Sequence, residues 1–268
     1  MTASQKVERF HALHAEGGPL LMPNPWDIGS AKLLASIGFK ALATTSSGLA
    51  NSLGRNDGHV TREEAIAHGE ALAAAVDVPV SADLENAFGE APDDVAETVR
   101  LAVEAGLAGC SVEDYEPERG ASAYDLSLAA DRVRAAAEAA HSGPGLVLTA
   151  RAENFVRGNR DLADTIARLQ AFQEAGADVL FAPGVVDPAD LRTLLAEVDR
   201  PVNVIATRSA PTIDELAALG VARVSVGGGF ALVAYTALIE AGRELFEQRT
   251  TGFWDRTKAA LEARTVFD

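Results

Sequence analysis

Three acidic stretches carry most of the chemistry that residue type and spacing suggest. Asp83-Leu84-Glu85-Asn86, Glu113-Asp114 and Arg151-Ala152-Glu153-Asn154 each follow a short apolar run. If those runs are neighbouring strands, Asp83, Glu85 and Glu113 converge on one small volume. Carboxylates crowded in that way need a cation, because mutual repulsion otherwise drives one of them to take up a proton. A hard divalent ion with oxygen ligands, Mg²⁺ or Mn²⁺, is the natural candidate, and Mg²⁺ keeps several waters and takes few direct protein ligands. Taken one at a time, the same acids also fit helix caps and ion pairs. Arg151 adds a guanidinium able to grip a carboxylate or phosphate through two parallel hydrogen bonds, or to pair with Glu113 or Glu153. The run Thr44-Thr45-Ser46-Ser47-Gly48 offers hydroxyls and backbone N–H groups to a second anionic group, and equally reads as a polar turn.

Other groups say less. None of the histidines (His11, His14, His59, His68, His141) lies at an expected strand end, which disfavours a histidine metal site or a His-based triad. Cys110 sits among apolar neighbours and reads as packing. Gly227–Gly229 suits phosphate at a helix N-terminus or a tight turn. Trp26, Phe88 and Phe230 read as pocket walls or core, and Asn203 and Thr207 close an expected strand.

The elements that must position these residues alternate along the whole chain. Strands are expected at Leu20–Pro23, Ala41–Thr45, Val78–Asp83, Gly109–Glu113, Leu146–Arg151, Val179–Pro183, Val202–Ala206 and Arg223–Val226. Each is short, mostly apolar and bounded by Gly, Pro or Asp, as parallel strands buried on both faces should be. Helical patterns follow at Thr61–Val76, Pro92–Gly106, Asp125–Ala140, Leu162–Ala175, Asp187–Val198, Thr212–Leu219 and Ala231–Gln248. Ser4–Glu16 reads as a helix before the first strand, and Gly252–Asp268 as one after the eighth unit. Eight strand-then-helix units predict an α/β fold, a (β/α)8 barrel, whose chemistry sits at the carboxyl ends of the strands. The rival, a doubly wound open sheet, often has a Gly-rich first turn; here that turn is Pro23-Asn24-Pro25-Trp26-Asp27. No linker or low-complexity tract suggests a second domain, so residues 1–268 are expected to form one barrel domain with its core at about 19–245.

Composition narrows the partners. The chain has 268 residues, 48% of them hydrophobic, and a net charge of −16 from 23 Lys+Arg and 39 Asp+Glu. That acidity would repel a phosphate backbone, which argues against nucleic acid. One cysteine excludes an internal disulfide framework. The longest apolar run, Phe230–Ile239, is about half the ~20 residues that span a bilayer, and the polar opening MTASQKVERF shows no secretory signal. The expectation is a cytoplasmic protein that binds a small molecule.

With these residues assembled, the chain resembles the isocitrate lyase/phosphoenolpyruvate mutase superfamily over roughly Pro19 to Leu245. The pieces that carry the likeness are Pro23-Asn24-Pro25-Trp26-Asp27, Thr44–Leu49, Gly54-Arg55-Asn56-Asp57-Gly58, Asp83-Leu84-Glu85-Asn86-Ala87-Phe88-Gly89, Val112-Glu113-Asp114 and Thr149-Ala150-Arg151. The resemblance implies Mg²⁺ held largely through water by Asp83, Glu85 and Glu113, with Asp57 nearby, and an α-oxo carboxylate or its enolate as ligand. The family commonly has Asp-x-Asp where this chain has Asp83-Leu84-Glu85. Ser46, Ser47, Gly48, Leu49 and Arg151 match positions that grip the substrate carboxylate, and Trp26, Thr45 and Asn203 are further candidates to line its pocket. The resemblance also implies dimers that pair into tetramers, with Phe230–Gln248 as a helix exchanged between subunits.

The loop after the fourth strand departs from the better-known relatives. Isocitrate and methylisocitrate lyases carry a Lys-Lys-Cys-Gly-His-type loop there, and phosphonate-forming enzymes a lysine- and asparagine-bearing one. Here residues 115–124 read Tyr-Glu-Pro-Glu-Arg-Gly-Ala-Ser-Ala-Tyr. Tyr115, Arg119 and Tyr124 are the only loop candidates for a general acid. The first expectation is therefore carbon–carbon cleavage of a small 2-oxo or 2-hydroxy dicarboxylate through an enolpyruvate-like intermediate. Phosphorus–carbon chemistry, as mutase or phosphonopyruvate hydrolase, is the second, and a non-catalytic metabolite-binding relative the third.

Overall fold

The computed structural model describes residues 1–115 and 122–267. Its strands are β1 (Leu20–Met22), β2 (Leu42–Ala43), β3 (Val80–Asp83), β4 (Gly109–Glu113), β5 (Val147–Arg151), β6 (Val179–Phe181), β7 (Val202–Ile205) and β8 (Arg223–Ser225). All neighbours pair in parallel, in the order β1-β8-β7-β6-β5-β4-β3-β2. The two ends meet where the Ala43 N–H donates to the Pro23 carbonyl at 3.1 Å, next to β1. The expected (β/α)8 barrel is therefore the observed fold, its strands one to three residues shorter than the apolar runs in most cases.

Helices α1 (Ala3–Leu13), α2 (Ile28–Ile37), α3 (Ser46–Ser52), α4 (Arg62–Ala75), α5 (Pro92–Glu104), α6 (Leu126–Ala140), α7 (Leu162–Glu174), α8 (Pro188–Ala196), α9 (Ile213–Leu219) and α10 (Gly229–Arg243) surround it. Two of them, α2 and α3, have no counterpart among the expected helices. The α2 sequence, IGSAKLLASI, is apolar nearly all round and shows no polar face to mark its period. Asp27 starts it by accepting from the Ser30 N–H at 2.6 Å, and Gly38 ends it in the left-handed conformation.

Beneath the strands, Val7, Phe10 and Leu13 of α1 pack on Leu20, Met22, Ala41, Val147 and Val179, closing the amino-terminal end of the barrel. Gly109 makes room for this plug: a Cβ there would lie 2.7 Å from the Phe10 ring and 2.9 Å from the Val147 carbonyl oxygen. Lys6 of α1 is buried and donates to the Ala73 and Val76 carbonyls at 2.7 and 2.6 Å, capping the end of α4.

The carboxyl-terminal extension is helical, as expected, but broken. Gly252–Arg256, α11 (Lys258–Glu262) and Arg264–Phe267 are separate short pieces. Thr257 takes the Trp254 carbonyl with both its N–H (3.1 Å) and its hydroxyl (2.7 Å), which tightens the turn and interrupts a longer helix. No described helix is long and apolar enough to cross a membrane.

Candidate active site

The stretch after β3 is held in an unusual backbone conformation. Glu85, Ala87 and Phe88 are all left-handed, with φ of 50°, 63° and 59°. A non-glycine residue pays about 1–2 kcal/mol for that geometry, so the surroundings must enforce it. Arg132 of α6, 1% exposed, does much of this by donating to the Gly89, Glu90 and Asn86 carbonyls. Asn86 accepts from the Phe88 N–H at 3.0 Å, and the Thr98 hydroxyl donates to the Ala87 carbonyl at 2.7 Å. The result turns Glu85 back over the strand ends.

At those ends the charges interlock. Asp83 accepts from the Ser46 N–H at 3.3 Å, and its own N–H donates to the Thr44 hydroxyl at 2.9 Å. The Arg151 guanidinium lies 3.3 Å from Glu113 and 3.9 Å from Asp83, while its Nε reaches Glu153 at 2.5 Å. Glu153, fully buried, is also bound by Arg157 at 2.9 Å. Burial pushes the Glu113 carboxyl well above the usual carboxylate range; Glu153 and Asp83 add to this, and Arg151 opposes it. For Arg151, burial works against the charge, but Glu113, Glu153 and Asp83 outweigh it and hold the guanidinium above its ordinary value. Asp114 takes no part at the mouth. It accepts from the Glu153 N–H at 2.7 Å and pairs with Arg168 at 2.9 Å, while burial lifts its carboxyl to about 6.

Two adjoining cavities open here. The inner one, about 170 Å³, reaches from Thr45, Ser46, Ser47, Asp57, Asp83 and Arg151 down to Asn203 and Arg223 inside the barrel. The outer one, about 180 Å³, shares Ser46, Asp57 and Arg151 and adds Glu85, Glu113, Tyr115 and Arg157. Among the described residues, no three acidic, histidine or cysteine side chains converge closely enough to cage a metal directly. The donor set instead fits an ion held chiefly through water, with Asp83, Asp57, Glu85 and Glu113 facing two connected spaces.

The model of the family described as phosphoenolpyruvate phosphomutase matches residues 10–246. The chain belongs to this family, within the isocitrate lyase/phosphoenolpyruvate mutase superfamily. It is similar to a solved structure described as a putative lyase/mutase from Burkholderia cenocepacia, at 46% identity and a TM-score of 0.92, covering 98% of this chain and 95% of that one. An uncharacterised protein of Mycobacterium tuberculosis is 37% identical over 81% of each chain. The 2-methylisocitrate lyase of Escherichia coli is 28% identical over 92% of this chain and 85% of its own.

Within this phosphomutase-family barrel, most residues singled out from sequence face the two cavities: Thr45, Ser47, Asp83 and Asn203 the inner, Glu85, Glu113 and Tyr115 the outer, and Ser46, Asp57 and Arg151 both. Gly48 and Leu49 are buried in α3 behind that face, and a Cβ at Gly48 would lie 2.9 Å from Trp26 Cβ. Trp26 lines neither cavity. Tyr124 is buried away from both, with its hydroxyl accepting from Asn86 at 3.1 Å and its ring 4.4 Å from the Arg132 guanidinium. Arg119 lies outside the described residues.

Several groups escaped the sequence reading. Asn24 ties three strand ends together, donating to the Thr44 carbonyl at 2.9 Å and accepting from the Val226 and Gly227 N–H groups at 2.8 and 2.9 Å. Arg157 stacks on Tyr115 at 3.9 Å. Ser81, Ser111, Ser225 and Arg223 also line the inner cavity. Their signal was available: barrel interiors are ordinarily Val, Ile and Leu, and these strands place polar residues at inward positions.

Proposed function

We propose that this protein is a Mg²⁺-dependent enzyme that acts on a small α-oxo or α-hydroxy carboxylate through an enolpyruvate-like intermediate, breaking a carbon–carbon bond. The observation that carries this reading is Arg151 paired with Glu113 and Asp83 at the edge of two adjoining cavities, beside the Ser46 N–H that Asp83 accepts. Asp83, Glu85 and Glu113 would hold the ion, with Asp57 nearby. The bound ion supplies Lewis-acid polarisation of the oxo acid.

The chain's own residues do the rest. Backbone and hydroxyl donors of Thr45–Ser47 orient the substrate carboxylate. Glu153 fixes the Nε edge of Arg151, which leaves NH1 directed at the acids and the cavity. In a 2-oxo acid the bond from C3 breaks heterolytically, its electron pair stays on C3 and spreads to the C2 carbonyl oxygen, and the other fragment leaves as a carbonyl compound, its hydroxyl proton passing to a mouth carboxylate. In a 2-hydroxy acid the C2 hydroxyl gives up that proton and becomes the oxo group of the product, while the pair stays on C3 and is taken up by the carboxylate attached there. Arg151 is placed to stabilise that charge, which is present only after bond breaking begins. Tyr115 is the described candidate to return a proton to C3. The chain would work as a single barrel unit with its core at about 19–245.

Helix α10 supports exchange between subunits in a homo-oligomer. Leu232, Val233 and Leu238 are 61%, 68% and 67% exposed in the isolated chain. Contiguous apolar exposure of this kind marks an interface.

Thermal melting with Mg²⁺ and oxalate, singly and together, tests the site, since oxalate mimics the planar enolate. A ligand at a hundred times its Kd adds about 2.7 kcal/mol. A joint rise in Tm that disappears in Asp83→Ala is the expected result; no joint rise in the wild type overturns the proposal. Pyruvate release from 2-hydroxy or 2-oxo dicarboxylates then supports carbon–carbon cleavage. Loss of the phosphonate ³¹P signal from phosphonopyruvate would reassign the reaction to phosphorus–carbon chemistry.

A further inference from the structure

Arg157, in the turn after β5, belongs to the lining of two cavities at once. One is the outer cavity of about 180 Å³, which it shares with Glu113, Tyr115 and Arg151. The other, about 450 Å³, lies toward α7 and is lined by Arg157 with Ser122, Ala123, Asn159 and Arg168. The side chain is fixed on two flanks. Its Nε donates at 2.9 Å to Glu153, which is fully buried, and its guanidinium lies 3.9 Å from the centre of the Tyr115 ring. The turn that carries it is tied down as well. The Arg157 N–H donates to the Glu153 and Asn154 carbonyls at 3.1 and 3.2 Å, and the Asn154 side chain donates to Asp164 and Thr165 of α7 at 3.0 and 2.9 Å. Tyr115 is in turn paired with Ala123 by an antiparallel backbone bridge.

A guanidinium laid on an aromatic face and anchored by a buried carboxylate is a fixed partition rather than a loose surface contact. Its position decides how much room a ligand has. The outer cavity must take both the hydrated ion and whatever C3 carries, and about 180 Å³ leaves space for only a short group there. The larger space of about 450 Å³ begins on the far side of Arg157. A methylene that meets a filled and fixed wall costs about tenfold or more in discrimination.

We infer that the Arg157–Tyr115 pair determines specificity at C3: it closes the outer cavity against the larger space beyond and confines the enzyme to acids with short C3 substituents. The placement of C3 at the outer cavity rests on the proposed function; the wall rests on Arg157 lining both cavities and on its two anchors. Selection of this kind works by exclusion, since a long substituent is refused by filled volume rather than a short one being attracted. Removing either member of the pair should therefore widen the range of ligands.

Titration calorimetry with Mg²⁺ present, using oxamate and N-butyloxamate on the wild type, Arg157→Ser and Tyr115→Ala, tests this. Oxamate keeps the planar oxo-acid head and carries nitrogen where C3 would be, so the butyl chain leaves along the direction of a C3 substituent. The wild type should bind N-butyloxamate at least about tenfold more weakly than oxamate. In each variant the ratio of the two affinities should move by at least about tenfold in favour of the butyl ligand. Such a gain requires a folded protein, and Tyr115→Ala opens the wall without taking a cation from Glu153 should Arg157→Ser fail to fold. Comparable affinities in the wild type, or an unchanged ratio in either folded variant, would overturn the wall. With oxamate still bound, that result would leave the proposed function standing. Failure of oxamate to bind the wild type would remove both.

Discussion

Two arginines point into one barrel and meet opposite surroundings. Arg151, at the end of β5, is enclosed by Glu113, Glu153 and Asp83. Arg223, at the start of β8, is bound among the described residues by the neutral oxygens of Asn203 and Thr149. Arg223 is buried and Arg151 is 20% exposed at the mouth, but the larger difference lies in the partners. At the mouth, cation and anions fix one another, and the cluster provides a rigid edge against which a substrate and an ion can be aligned. At the floor, one terminal nitrogen of the cation and the His14 Nε2 are both buried without a hydrogen-bond partner among the described residues. A buried charge is thus a brace when paired and a cost to the fold when left open, and substitution should separate the two.

The largest effect is expected at the brace. Arg151→Met leaves Glu113 and Glu153 buried with one cation fewer, and breaking a buried pair from one side costs about 3–5 kcal/mol. Urea unfolding of the unliganded protein should show a midpoint lowered accordingly. A loss below about 1 kcal/mol would mean that the mouth cluster is loosely held, and the contrast with Arg223 would fail.

His14 gives the next effect, because it packs near Arg223 from below. Its folded pKa, about 4, is depressed from 6.5 chiefly by burial and then by Arg223. The unfolded chain therefore binds a proton that the native state refuses. His14's contribution is complete above about pH 6.5 and is lost as pH falls toward 4, by at most about 3 kcal/mol. Replacing His14 with Gln should flatten that limb of the stability profile; an unchanged limb would show that another group governs the stability between pH 6.5 and 4. A smaller loss, about 1–2 kcal/mol, is expected for Gly109→Ala, where a methyl group would press on the Phe10 ring and the Val147 carbonyl. Measured by urea unfolding, a neutral result there would mean that the plug under the floor can yield.

How much of this was legible in the sequence follows from what each element advertises locally. Strand runs such as Gly109–Glu113 carry their own boundaries and apolar character, so the barrel and its catalytic end could be read directly. Asp83, Glu113 and Arg151 were legible because they terminate strands. Helix α2 was not, since a segment apolar on most sides has no period to detect. Arg223 was hidden for a related reason. It opens a strand rather than closing one, and its importance depends on Thr149, 74 residues away in sequence. Asn203 was flagged as a strand-end residue, yet its role in holding Arg223 appears only once β7 and β8 are paired.

The smallest expected effect is the one that most sharpens the comparison. Arg223→Met removes two hydrogen bonds, to Asn203 and Thr149, each worth about 1 kcal/mol net. It also removes a cation that burial disfavours, and replaces it with an apolar side chain that can follow much of the same path. Exchange of buried charge for well-packed apolar groups is often neutral or stabilising. The two contributions oppose, so unliganded stability should change by less than about 1 kcal/mol in either direction. Set beside a loss of about 3–5 kcal/mol for Arg151→Met, that near-null result would show that Arg223 is retained for something other than the fold. A loss as large as that of Arg151→Met would make Arg223 a structural brace of the same kind and erase the distinction between floor and mouth.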